Sequence, residues 1–159
     1  MTEGRQRKLD FLAKTGMFSI AGFFLAALPI IGIIGIQQLL NLIGIECSIA
    51  WGLIWVLTFI GCVLSPIVFI RFIQRTTLDN EAIGKRLLVF NILEYTFIQT
   101  SLGYFFTNGQ TLCYLSDGQS GLEFVFTGWL AIPILLILSY IFNQVRAARK
   151  KQEELEYQN

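Results

Sequence analysis

Four long apolar blocks, parted by short polar stretches, run through this chain, and each has the length of about 20 residues that a membrane-crossing helix needs. They cover residues 17–38, 49–70, 87–107 and 122–145. From Thr15 to Ile45 no residue is charged, a run far longer than the apolar core of a cleaved signal, so the first block reads as a retained anchor. Gln37, Gln38 and Asn41 mark its far interface, with Leu39–Ile45 as an extra turn among the headgroups. Pro29, Pro66 and Pro133 each remove a backbone donor inside a block, and the first two are read as kinks. Trp51 and Trp55 stand where an aromatic belt belongs.

Charge turns four blocks into a topology. All Lys and Arg residues fall in three clusters: Arg5 to Lys14, Arg71 to Arg86, and Arg146 to Lys151. The connections 45–50 and 108–120 carry no positive charge. Under the positive-inside rule this alternation predicts an all-α polytopic membrane protein with four transmembrane helices and both termini cytoplasmic. The expected location is a plasma membrane of the bacterial inner type. Charged residues make up only 14% of the chain, so little remains for a soluble domain, and 1–159 reads as one transmembrane domain. The basic clusters flank spans, which points to anionic lipid headgroups and not to nucleic acid.

The chemistry inventory is thin. The chain has no His, no Cys pair at metal-ligand spacing and no Gly-rich phosphate loop after a strand. Its hydroxyls have no base in view. No metal, no cofactor and no enzymatic activity are therefore expected. Glu123 fits the pattern Ser120-Gly121-Leu122-Glu123, a capping box at the start of the fourth span. Asn108-Gly109 and Asp117-Gly118 are turn signals in the outer connection.

Two groups of residues invite a site. The third block is the most polar, and Asn91, Glu94 and Ser101 recur on one helical face, with Tyr95 and Gln99 beside it. Glu94 lies eight residues beyond Arg86, about 12 Å along a helix, and so near the middle of the bilayer core. A carboxyl there is protonated, paired or facing water, so this face should turn into the bundle or onto a partner. Cys47 and Cys113 fall one in each outer connection, as a disulfide or as two free thiols. A thiol oxidase would need a pair in each loop. Small residues four or three apart, Gly22 and Ala26, Gly61 and Ser65, Gly128 and Ala131, mark places where helices can approach closely.

In length and topology, though in no motif, the organisation is similar to small four-helix immunity proteins against pore-forming bacteriocins and to small conjugal exclusion proteins. The resemblance implies a non-enzymatic protein acting through helix contacts with a membrane partner, as an immunity or exclusion factor or an accessory subunit. The alternative is an oligomeric small transporter or proton-coupled carrier using Glu94, which requires self-association because four spans rarely enclose a pathway.

Overall fold

The computed structural model describes residues 10–107 and 120–157, and among these the chain is all helical. Five helices follow one another: α1 (Phe11–Phe24), α2 (Leu28–Leu42), α3 (Cys47–Arg75), α4 (Asn80–Phe106) and α5 (Ser120–Tyr157). The first apolar block is thus two helices, with α1 and α2 bent 66° from one another. Pro29 stands in the first turn of α2, where its missing N–H costs nothing, and the chain turns through residues 25–27 just before it. Pro66 and Pro133 behave differently: both lie inside uninterrupted helices.

Helix ends follow local chemistry. Asp10 caps α1 by accepting from the amides of Leu12 and Ala13, and Asp79 caps α4 by accepting from Ala82. One turn into α4, Glu81 and Lys85 pair at 2.8 Å, and this hydrogen bond raises the Lys85 ammonium above the ordinary lysine range. The end of α2 needs a left-handed residue, and Gly44 supplies it at φ 95°. Its amide bonds to the Asn41 carbonyl and that of Ile45 to Leu40, the paired closure of a Schellman turn. A short link then leads straight into α3.

Two helices, α3 and the Glu123–Gln152 part of α5, are long and apolar enough to cross a membrane, and the bent α1–α2 pair makes a third such element. The four comparable spans expected from the sequence therefore reduce to two or three on apolarity, since α4 falls outside that group. The reason lies in its composition. Asn91, Glu94, Gln99, Thr100 and Ser101 dilute its apolar run, and all five are buried inside the bundle. At its far end α5 continues as a helix to Tyr157, well past the apolar block.

α4 is the centre of the assembly and packs against the other four helices. At the end where Arg and Lys collect, Phe11, Phe69, Phe90 and Phe142 bring α1, α3, α4 and α5 onto one aromatic cluster, with ring centroids 4.7 Å apart for Phe69 and Phe90. At the opposite end Ile30, Ile33, Trp51, Ile54 and Phe124 form a second cluster. Trp51 is buried there against Tyr104 and Phe124, so it is a core residue and not a belt residue facing headgroups. Gln37 is also turned inward, donating to the Cys47 carbonyl at 3.1 Å, whereas Gln38 and Asn41 are exposed. Between the two apolar clusters lies a polar layer.

A buried polar layer around a broken helix

The polar layer is built by the inward face of α4. Asn91, Glu94, Tyr95, Gln99 and Ser101 are each at most 7% exposed. A helix repeats its face every three to four residues, so this spacing delivers all five to the interior while Leu88, Val89, Ile92 and Leu93 remain exposed. Thr96 and Thr100 do not join the layer's contacts. Their hydroxyls donate back to the carbonyls of Ile92 and Thr96 on the same helix.

Two of these side chains, joined by one from α5, meet the break between α1 and α2. The last carbonyls of a helix have no amide of their own helix to accept from, and in hydrocarbon no water replaces it. The Tyr95 hydroxyl donates to the Gly22 carbonyl at 3.1 Å, and Gln99 Nε2 donates to the Ala26 carbonyl at 2.7 Å. From α5, the Trp129 indole donates to the Phe23 carbonyl at 3.2 Å. Gln99 Nε2 also donates to the Phe124 carbonyl at 2.9 Å, so one amide ties the break to α5. Polar residues on α4 thus stand in for the hydrogen bonds that the break removes from the first apolar block.

A second knot lies closer to the basic end. Asn91 Nδ2 donates to Thr15 Oγ1 at 3.0 Å, and Ser139 Oγ donates to the same oxygen at 2.5 Å. One residue each from α1, α4 and α5 meets there, all nearly fully buried. Glu94, one turn along from Asn91, points to α3 instead. Its Oε2 accepts from the Ser65 hydroxyl, and Cys62 lies within hydrogen-bonding reach of the same carboxyl. Ser65 also lines an open groove of about 520 Å³ between α3 and α4, which runs from Gly61 and Phe97 to Phe72 and Arg86.

Small residues allow this layer to close. A Cβ on Gly128 would stand 2.5 Å from the Tyr95 hydroxyl and 2.7 Å from Gln99 Nε2. Gly22 lies under the Tyr95 ring, and Gly61 lies against Phe97. Of the cysteines, Cys47 is disulfide-bonded, Cys62 is free, and Cys113 lies outside the described residues. The turn signals at 108–109 and 117–118 fall outside them as well. α5 opens at Ser120 with an exposed Glu123 in its first turn.

Sequence reasoning named the α4 residues but missed their partners. Ser139 carried a signal, as the one Ser or Thr within the apolar run from Ile132 to Ile141. Ser65 stood out only as the small partner of Gly61 in a packing step, and Thr15 carried no signal, since a single small hydroxyl near a span is common. Chemically, the layer offers one carboxyl, two amides, a phenol and several hydroxyls, and among the described residues no group of three potential metal ligands forms. No protein-family profile, curated protein or solved structure matches the chain.

Proposed function

We propose that this chain is a small non-enzymatic protein of a bacterial inner-type membrane that acts by presenting helix faces to a membrane-embedded partner, as an immunity or exclusion factor or as an accessory subunit. The observation that carries this reading is where the interior polar groups go. Tyr95 and Gln99 cover carbonyls at the α1–α2 break, Asn91 joins Thr15 and Ser139, and Glu94 meets Ser65. A layer engaged in holding its own helices together leaves the outer apolar faces as the means of action. Native mass spectrometry of the protein extracted in mild detergent tests this: a heteromeric complex is expected, and a defined homo-oligomer without any partner would overturn it.

The accompanying topology has four crossings and cytoplasmic termini. α4 is the third crossing in chain order, its polar face shielded by α1, α3 and α5 and its outward face apolar. A cytoplasm-dependent reporter fused after Lys151 is expected to be active, and one inserted in 108–120 inactive. Activity at the latter position would refute four crossings.

One observation favours a second reading, a proton-coupled carrier. Ser65, the partner of Glu94, also lines the groove between α3 and α4, so the carboxyl lies one side chain from an opening at the protein surface.

A further inference from the structure

The basic end of the bundle contains a pocket unconnected with the polar layer. It has a volume of about 310 Å³ and lies between the end of α3, the α3–α4 link, the first turns of α4 and the extended end of α5. Ile73, Leu78 and Ile83 supply apolar walls, and Thr76, Thr77, Arg146, Arg149 and Lys150 supply the rest. No carboxylate belongs to this lining among the described residues.

The two arginines are held in place. Arg149 donates to the carbonyl of Ile73 at 2.9 Å and to that of Thr76, so it closes the C-terminal end of α3, where a cation is also favoured by the helix dipole. Arg146 donates to Asn80 Oδ1 at 2.5 Å, and its guanidinium lies 5.7 Å over the Phe11 ring. These contacts fix two guanidinium groups at one concave wall, while Lys150 stands exposed beside them. Preorganised guanidinium forks with nearby hydroxyls are suited to tetrahedral oxyanions. The pocket begins immediately beyond the apolar part of α5, at the depth of headgroups, and basic pockets between helices at this depth take phosphorylated lipid heads.

We propose that this pocket is a binding site for a phosphate group, with Arg146, Arg149 and Lys150 as its cationic residues and Thr76 and Thr77 at its rim. The phosphate is that of an anionic lipid headgroup or a free phosphate in solution. Arg149 holds α3, so its replacement would confuse binding with folding. Lys150 and Lys151 give a cleaner comparison, because both are exposed and only Lys150 lines the pocket.

The full chain is placed in nanodiscs of equal parts phosphatidylglycerol and phosphatidylcholine, and retained lipids are counted by native mass spectrometry. In parallel, thermal unfolding in neutral detergent is followed with inorganic phosphate against chloride at equal ionic strength. Retention of phosphatidylglycerol by the wild type and by Lys151→Glu, with a roughly tenfold loss of affinity in Lys150→Glu, is the expected result and identifies the lipid as the source. Stabilisation by inorganic phosphate, lost in Lys150→Glu and kept in Lys151→Glu, supports the same pocket with free phosphate as its ligand. Equal behaviour of the two variants in both arms, or a wild type that prefers neither anion over its control, overturns the site.

Discussion

Gly128→Val is expected to destabilise the bundle by about 3 kcal/mol or more, combining overpacking with the loss of buried hydrogen bonds. A first side-chain carbon at this position falls within 2.7 Å of both the Tyr95 hydroxyl and Gln99 Nε2, and 3.1 Å from the Ala26 Cβ. These are not flexible chain ends that can move aside. Tyr95 and Gln99 are each at most 2% exposed and are bonded to the carbonyls at the α1–α2 break. Any displacement that accommodates valine pulls both donors away from Gly22 and Ala26, leaving carbonyls bare in hydrocarbon. Gly128→Ala should show the same effect in weaker form, about 1–2 kcal/mol. Denaturant titration in mixed micelles, read by tryptophan fluorescence, measures the series. A Gly128→Val protein as stable as the wild type would mean that α4 and α5 do not meet as closely as described.

Glu94→Lys is expected to prevent assembly, because it puts an obligate cation into the middle of the protein, at a cost of about 2.5–3.5 kcal/mol on insertion scales. The longer side chain also removes the acceptor of the Ser65 hydroxyl and meets the neighbouring Cys62. Glu94→Gln keeps the shape and an acceptor oxygen, and should change stability by less than about 1 kcal/mol. The pair is read by yield of monodisperse protein and by partner retention. A Glu94→Gln protein that keeps its partner and its function at every pH sampled leaves the carboxyl as a packing group. A normally assembled Glu94→Gln protein that loses function would place the carrier reading above the contact reading.

Several of these features were legible in residues alone. The inward face of α4 followed from the spacing of Asn91, Glu94 and Ser101, while Pro29 announced a kink where the structure has a full break between two helices bent by 66°. What the sequence does not carry is the identity of partners across helices. Nothing local tells Tyr95 that its acceptor is the Gly22 carbonyl, or makes Thr15 the meeting point of Asn91 and Ser139, because those pairs arise from the rotation of whole helices. Proline has the same ambiguity: Pro29 opens a new helix after a break, whereas Pro66 and Pro133 are absorbed into longer ones. The polar character of α4, which lowers its apolarity as a span, is the counterpart of the break in the first block. Gln37 and Trp51 face the core for similar reasons of tertiary placement.

The donors that complete the first span also set a clock on its biogenesis. Tyr95 and Gln99 each lie 73 positions beyond the carbonyls they cover, and Trp129 lies 106 beyond Phe23. At about 5–20 residues per second, a ribosome makes the nearer donors roughly 4–15 s after the break itself. Through that interval Gly22, Phe23 and Ala26 have only water or the insertion machinery to bond to. The N-terminal segment is therefore expected to stay out of lipid until α4 has been synthesised, and truncation before residue 99 should leave it accessible to solvent or to proteases of the membrane.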